Sequence, residues 1–381
     1  RRVLFRSGMT SRDLTENIEA LQIRQGLDLV HTKVVALLAR LAEASVKYAD
    51  QPIAGRSHNV PAQVTTLGKR FATIAEELLF AYERLTALQA RYPMRGIKGP
   101  VGTAQDSIDL LGTSEAHHAL EQAISKELGF SNVLDSTGQI YPRSFDYDVL
   151  TTLVQLAAAP SNLATSIRLM AGAELVTEGF KQGQVGSSAM PHKMNTRSCE
   201  RVNGLAVVLR GYASMVSELS GNQWNEGDVS CSVVRRVAIA DAFYAFDGLM
   251  ETILTVLDEF GTFPALINAE LEHQLPFLAT TKILMAAVKA GVGREVAHEA
   301  IKELAVKATI STREGKINTF FDDVAADSRI PLDRAALDQL IGQPLDFAGD
   351  AQQQVSRVVN RVNLITSTFK DASQYSADSI R

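Results

Sequence analysis

The length of its apolar helical segments restricts the fold of this chain more than any other feature. Between Val229 and Phe260, bulky apolar residues recur at alternating steps of four and three: Ile239, Phe243, Phe246, Met250, Ile253 and Leu257. This spacing predicts an α-helix with one apolar face. A straight helix of that length would span about 48 Å, and its apolar stripe must be covered by other helices or by other subunits.

Other segments also predict long helices, and signals for strands are nearly absent. Thr10 with Asp13 three residues later is a capping pattern, and the helix that starts near Ser11 should run to about Tyr48. Pro61 is predicted to occupy the first turn of a second helix. Further helices are predicted over Ser114 to Leu128, Phe145 to Leu175 with a kink at Pro160, and Arg197 to Leu219. The predicted fold class is therefore all-α, a bundle of long helices.

The predicted helices become shorter after Phe263 and Pro264. They are expected around Pro276 to Lys289, Arg294 to Ser311 and Asp350 to Thr368. We therefore expect a central bundle domain over residues 8–262 and a smaller helical C-terminal domain over residues 263–381. Residues 1–7 do not read like the start of a domain, and we expect them to be a non-native leader.

The composition excludes several classes of function. The 381 residues are 46% hydrophobic, which is enough for a substantial core. The net charge of −5 without basic runs, together with a single Trp, argues against a nucleic-acid polymer as partner. We find no apolar run long enough to cross a bilayer and no signal-peptide pattern, so we expect a cytoplasmic protein that does not contact a membrane. Cys199 and Cys231 lack partners at zinc-ligand spacing, and we expect two buried thiols and no metal site.

The stretch from Gly186 to Asn195, GSSAMPHKMN, combines a flexible start, two hydroxyls, a cation and an amide. Lys193 and Asn195 offer one charge and one amide donor that could stabilise an oxyanion. Ser187 or Ser188 could act as a base if backbone N–H groups and a cation stabilised its alkoxide. The positive charge of Lys193 and the N-terminus of the following helix could stabilise this alkoxide. Spacing alone does not distinguish the two adjacent serines.

A second candidate for proton transfer is His58, in the segment GRSHNVPAQVTT at residues 55–66. Histidine can carry a proton near neutral pH, so it could protonate a leaving group. A lone histidine before a helix is more often a cap or a surface residue. The sequence around it decides between these interpretations.

Two pairs of residues are candidates for binding anions. Thr10 and Ser11 lie at a predicted helix start, where backbone N–H groups favour a carboxylate. Ser232 and Arg236 are four residues apart in a predicted helix, so both side chains point the same way and could hold one phosphate. Arg235 beside them is expected to pair elsewhere.

In this order, the motifs resemble those of the fumarase/aspartase superfamily, whose members cleave a C–N or C–O bond and release fumarate. Within that superfamily, the segment LPFLAT at residues 275–280 and the residues after the Gly186–Asn195 loop look most like the adenylosuccinate lyases. The resemblance covers nearly everything from Gly8 to about Leu364. It implies a helical bundle shared by four subunits, with composite active sites, a nucleotide substrate and no cofactor or metal.

The same resemblance implies a role for each matched residue. Ser187 matches the catalytic base and is preferred to Ser188 on this ground. Lys193 and Asn195 would stabilise the carbanion, and His58 would protonate the departing nitrogen. Substrate binding is implied for Thr10, Ser11, Ser57, Gln139, Arg201, Ser232 and Arg236.

The implied activity is elimination of fumarate from adenylosuccinate, giving AMP, and from succinyl-aminoimidazole carboxamide ribotide in purine synthesis. One alternative is another fumarate-releasing lyase such as argininosuccinate lyase, but the Ser232 and Arg236 pair argues for a substrate with a phosphate. Another is a non-catalytic helical scaffold, which would not need Lys193 in a glycine-hinged loop. The N-terminal domain of the family, with its nucleotide-binding segments, is expected to be absent from this chain.

Overall fold

A single long helix, α1 (Ser11–Lys47), is the element against which much of the chain packs. The computed structural model describes residues 8–179, 190 and 192–378. The further elements up to residue 179 are β1 (Pro52–Ser57), β2 (Val60–Thr66), α2 (Leu67–Arg91), α3 (Gln105–Leu111), α4 (Ser114–Glu127), α5 (Ser144–Leu156), α6 (Ala158–Gly172) and β3 (Val176–Thr177). Those after residue 190 are α7 (Arg197–Ser217), α8 (Cys231–Glu259), β4 (Gly261–Thr262), α9 (Pro264–Leu278), α10 (Thr280–Lys289), α11 (Arg294–Arg313), α12 (Phe320–Ala326), α13 (Arg334–Ile341), α14 (Ala351–Thr368) and α15 (Lys370–Ser373).

The bundle consists of α1, α2 and α5 to α8, and side-chain contacts fix the direction of its helices. Arg12 contacts Ser232 and Arg40 pairs with Asp258, so α1 and α8 run parallel. The helices α7 and α8 run antiparallel, because Tyr212 donates to Asp241 at 3.4 Å and Leu205 lies beside Gly248. The predicted all-α bundle of long helices is confirmed.

The apolar stripe predicted on α8 lies largely in the core of the chain itself. Phe246, Met250 and Ile253 are at most 1% exposed. A second apolar face of α8 remains uncovered: Val233 is 71% exposed and Tyr244 76% exposed. The fold of one chain therefore covers one side of this helix and leaves the other side open.

The segment that contains Pro61 forms a hairpin before α2. Strand β1 pairs antiparallel with β2, with Ile53 and Val64 turned into the core. Pro61 lies in β2, so the prediction that it starts a helix is wrong; α2 begins at Leu67, capped by the Thr66 side chain. Proline is also tolerated in an edge strand such as β2, so the proline alone did not distinguish a strand from a first helical turn.

Two predicted helices around prolines also differ from the structure. The single kinked helix predicted from Phe145 to Leu175 is two helices, α5 and α6, divided at Ala157. Pro160 lies in the first turn of α6, and it has no N–H to donate to the carbonyl four residues earlier, so the break falls before it. Pro276 was predicted to begin a helix, but it lies inside α9, which begins at Pro264 instead.

A second hydrophobic core lies among α10 to α13, with Ile283, Phe320 and Leu337 fully buried. Helix α14 then returns to the bundle, where Val362 joins the first core. Leu278 belongs to the first core and Ala279 to the second, so the two cores meet at the end of α9. The domain boundary after residue 262 stays a prediction. In the described residues, no helix is both long and apolar enough to cross a membrane.

Candidate active site

The structure places three of the predicted substrate-binding residues around one cavity. Ser11 of α1 and both Ser232 and Arg236 of α8 line a space of about 780 Å³ between the parallel helices. Arg236 is exposed, and no described carboxylate lies within ion-pair distance of it. The Ser232 hydroxyl accepts a hydrogen bond from Nη2 of Arg12 at 3.0 Å. An exposed guanidinium beside a hydroxyl is an arrangement that can bind a phosphate.

Arg235 pairs within the core, as expected. Its Nε donates to Asp146 at 2.7 Å, and its guanidinium also contacts Glu19 and Tyr141. Burial alone would lower the pKa of Arg235, but Tyr141, Asp146 and Glu19 outweigh it and raise the pKa. Arg235 also lies on the cavity wall, but these groups hold its guanidinium, so Arg236 is the arginine of this pair without a described carboxylate partner.

Asp13 organises the start of α1. Its carboxylate accepts from the Thr10 backbone N–H at 2.7 Å, which confirms the predicted capping. The same buried carboxylate accepts from Arg95 at 2.5 Å and from the backbone N–H groups of Lys98 at 2.9 Å and Gly99 at 3.0 Å. Thr10 and Ser11 are thus tied to the loop that follows α2.

Gln139 lies close to the approach to α8. Its backbone N–H donates to the Glu226 carbonyl at 2.6 Å, and the preceding Gly138 is so close to this carbonyl that a Cβ would lie 2.0 Å from it. Nη2 of Arg95 donates to the Gly138 carbonyl at 2.8 Å. Gln139 lines a second cavity of about 630 Å³ together with the 70% exposed Trp224. Through Arg95, the start of α1 and the Gln139 loop form one unit.

His58 and Ser57 lie at the tip of the hairpin, and both are exposed. His58 has φ of 52° and Asn59 has φ of 62°, the pattern of a two-residue turn with both central residues left-handed. Arg56 holds this turn, because its Nη1 donates to the Asn59 carbonyl at 3.1 Å while its guanidinium pairs with Glu270. A histidine in this conformation is uncommon, and such positions cluster at functional sites.

The remaining predicted residues lie at the start of α7. Lys193 is exposed, Asn195 is half-buried, and Arg201 is exposed on the first turns of the helix. The carboxylate of buried Glu178 accepts from the backbone N–H groups of Ser198 at 3.0 Å and Cys199 at 2.9 Å. Glu178 therefore occupies two of the N–H groups at the N-terminus of α7, and the effect of this N-terminus on a serine alkoxide stays a prediction.

Ser187 and Ser188 lie outside the described residues. Cys199 and Cys231 are both buried, as expected, and they form no disulfide with each other. In the described ranges, no group of three or more His, Cys, Asp or Glu residues is placed to hold a metal ion.

The candidate residues occupy opposite ends of the bundle. Given the antiparallel register of α7 and α8, Arg201 lies level with Thr252, sixteen residues and so about 24 Å from Arg236 along the axis. His58 follows the far end of α1, whose 37 residues span about 55 Å. The turn from Tyr48 to Gln51 closes on itself and returns about 7 Å at most, and residues 52–58 return about 23 Å at most, which leaves at least about 25 Å between His58 and Ser11. Within one chain, these residues do not meet around one small molecule.

Comparison with known proteins gives the family. A family model described as Lyase matches residues 5–211, and one described as Adenylosuccinate lyase C-terminus matches residues 276–358. The adenylosuccinate lyase of Saccharomyces cerevisiae is 35% identical over 356 residues, which cover 93% of this chain and 74% of the yeast protein. This chain belongs to the adenylosuccinate lyase family.

Other members of the family are similar over the same extent. The adenylosuccinate lyase of Schizosaccharomyces pombe is 33% identical over 369 residues, 95% of this chain and 76% of that protein. The adenylosuccinate lyase of Archaeoglobus fulgidus is 31% identical over 360 residues, 93% of this chain and 78% of that protein. The predicted family is confirmed.

Solved structures share the fold of this family member. The crystal structure of fumarate lyase from Mesorhizobium sp. BNC1 has a TM-score of 0.79 and 20% identity, covering 93% of this chain and 77% of that chain. The 3-carboxy-cis,cis-muconate lactonizing enzyme from Pseudomonas putida has a TM-score of 0.80 and 20% identity, covering 94% and 77%. These likenesses confirm the fold expected for the superfamily.

Three features of the site were missed from the sequence. Arg12 follows Ser11 directly, and its contact with α8 depends on how two helices 220 residues apart are packed. Asp13 was read only as a cap, although it also holds Arg95. Trp224 was counted only as the single tryptophan of the composition. The sequence held one signal for these residues: Arg12 is adjacent to Ser11, which was assigned to substrate. Asp13 and Trp224 had no such signal.

Proposed function

We propose that this protein is an adenylosuccinate lyase, which eliminates fumarate from adenylosuccinate to give AMP and from succinyl-aminoimidazole carboxamide ribotide to give the carboxamide. The observation that carries the proposal is the identity of up to 35% with adenylosuccinate lyases over more than nine-tenths of the chain. The enzyme is a carbon–nitrogen lyase. The alternatives, argininosuccinate lyase and a non-catalytic scaffold, are not favoured.

The cavity between α1 and α8 supports a nucleotide substrate. Its wall carries Arg12, Ser232 and Arg236, which offer guanidinium and hydroxyl donors to an anion. A phosphate is the group of a nucleotide that such donors recognise. Thr10 and Ser11 lie within one helical turn of Arg12 at the start of α1. We propose that they bind a carboxylate of the succinyl group.

The elimination needs a base, a stabiliser of negative charge and an acid. We assign the base to Ser187 in preference to Ser188, the stabilisation of the carbanion to Lys193 and Asn195, and proton donation to His58. In this assignment, Lys193 and the N-terminus of α7 favour a serine alkoxide, although Glu178 already binds two N–H groups of that N-terminus. Substrate contacts are assigned to Ser57, Gln139 and Arg201.

These assignments require composite active sites in a homotetramer. His58 lies at least about 25 Å from Ser11 in one chain, so both can reach one substrate only if different subunits supply them. The uncovered apolar face of α8, with Val233 and Tyr244, supports burial against another copy. Isologous contacts between long helices would bring one end of a chain beside the opposite end of its partner.

Two further statements complete the proposal. We place the enzyme in the cytoplasm, which fits the lack of a disulfide between Cys199 and Cys231 and the biosynthetic role of the family. We propose that it acts on a small nucleotide and uses neither a nucleic-acid polymer nor a membrane as partner.

The test is to incubate the purified protein with adenylosuccinate and follow fumarate by absorbance and AMP by chromatography. Equimolar release of both products is expected, and Ser187→Ala protein is the matched control for contaminating activity. Release of fumarate from argininosuccinate, with none from adenylosuccinate, would overturn the proposal.

A further inference from the structure

Arg12 links the two helices of the substrate cavity. It is the second residue of α1, and its side chain is 16% exposed. Nη2 donates to the Ser232 hydroxyl oxygen at 3.0 Å, and Nη1 donates to Oε1 of Glu16 at 3.2 Å. Arg12, Ser232 and Arg236 all lie on the wall of the same cavity. The guanidinium is thus held beside the hydroxyl that was assigned to substrate.

The contact with Arg12 determines what the Ser232 hydroxyl can do. A guanidinium only donates hydrogen bonds, so the Ser232 oxygen must accept, and its own hydrogen is left for another partner. Among the described residues, none accepts a hydrogen bond from this hydroxyl. The hydroxyl is therefore prepared to donate to an acceptor atom that enters the cavity.

The charges around the cavity favour an anion. Glu16, which pairs with Arg12, is also bound by Arg143 through two contacts of 2.8 and 3.0 Å. Asp146 and Glu19 are both bound by Arg235. Four guanidiniums, those of Arg12 and Arg236 included, thus face three carboxylates. Glu16 and Asp146 are buried, and Glu19 lies on the cavity wall paired with Arg235, so one net positive charge remains, and Arg236 has no carboxylate partner among the described residues.

We propose that Arg12 is a specificity-determining residue that binds the substrate phosphate together with Ser232 and Arg236. Two guanidiniums with a hydroxyl between them match the charge and the acceptor oxygens of a phosphate dianion. This inference rests on the proposed function, because it names a further contact of the same site. The phosphate is remote from the bond that breaks, so Arg12 acts on binding and not on the chemical step.

The test compares Arg12→Met with wild type on adenylosuccinate and on its phosphate-free nucleoside. Methionine keeps helix propensity, and Glu16 keeps Arg143 as partner, so the variant is expected to fold. Losing a charge-assisted hydrogen bond should raise KM for adenylosuccinate about tenfold or more, with kcat little changed. The preference of the enzyme for the phosphorylated substrate should shrink by the same factor.

Two controls separate this role from a structural one. Arg24→Met removes an arginine of the same helix that contacts Gly129 and Phe130 outside the cavity, and it should leave the preference unchanged. Competitive inhibition by AMP should weaken in Arg12→Met, and Arg12→Lys should give an intermediate inhibition constant because lysine keeps the charge but loses the planar fork. If Arg12→Met does not fold, the Arg12→Lys comparison decides.

The inference is overturned if Arg12→Met changes KM for the nucleotide and the nucleoside equally, or changes neither, while wild type is active. Equal changes would mean that Arg12 only holds α1 against α8. Absence of fumarate release by wild type would instead refute the proposed function itself, so the two failures are distinguishable.

Discussion

The separation of the candidate residues within one chain leads to a quantitative prediction for mixed tetramers. His58→Ala should remove the proton donor, and Arg236→Glu should place a carboxylate where the phosphate binds, so each variant alone should be nearly inactive. At least about 25 Å separates His58 from Ser11, which lies on the same cavity as Arg236. An active site that needs both residues must therefore take them from two subunits.

The expected recovery follows from random assembly. In a tetramer mixed from equal amounts, a site is intact when His58 comes from an Arg236→Glu subunit and Arg236 from a His58→Ala subunit. Each of these two conditions is met with a probability of about one half, so about a quarter of the sites should be intact. About a quarter of wild-type activity should therefore return. If one chain supplied both residues, no site would be intact in any mixture.

The assay is fumarate release after subunit exchange between the two variants, each with a different affinity tag. Two-step purification selects tetramers that contain both kinds of chain. A mixture of His58→Ala with His58→Gln is the matched control, since it cannot produce an intact site. Absence of activity in doubly tagged tetramers would refute the composite site.

Three further predictions concern stability and the assigned base. Asp146→Ala leaves Arg235 without its buried carboxylate and should lower the free energy of unfolding by about 3–5 kcal/mol in urea titrations. The control, Asp148→Ala, lies on the same helix but has more exposed partners, so it should lower the free energy of unfolding by at most about 1 kcal/mol. Burial lowers the pKa of His31, and the charge of a neighbouring aspartate opposes this by a smaller amount. Neutral His31 therefore contributes stability above its ordinary pKa of 6.5, and this stability is lost as the pH falls from 6.5 through the lowered pKa. His31→Gln should flatten this part of the curve of unfolding free energy against pH, and an unchanged slope would contradict the assignment. Ser187→Ala should lower turnover about a hundredfold or more at unchanged melting temperature, and a larger loss in a Ser188→Ala variant would move the base to that residue.

The sequence was sufficient to predict the family and most long helices. Helical periodicity is a local property, so both ends of α1, α7 and α8 were predicted to within two residues. The capping of α1 by Asp13 was also local. The motifs with reactive groups identified the family because several occur in the expected order along one chain.

Prediction failed where local signals were weak or misleading. The hairpin before α2 was missed because its turn carries His58 and Asn59 and no glycine, although both adopt a left-handed conformation. The contact of Glu178 with two N–H groups at the N-terminus of α7, about twenty residues later, was not predicted. A capping partner from outside the helix has no signature in the helix sequence.

The sequence by itself determined which residue types the site contains and which of them lie on one helix face, as for Ser232 and Arg236. Only the tertiary structure decided which residues meet. It joined Arg12 to Ser232 across 220 positions and placed His58 at the far end of the bundle from Ser11. The physical reason is that spacing along a helix fixes direction within one element, whereas the register between two helices depends on side chains packed from both.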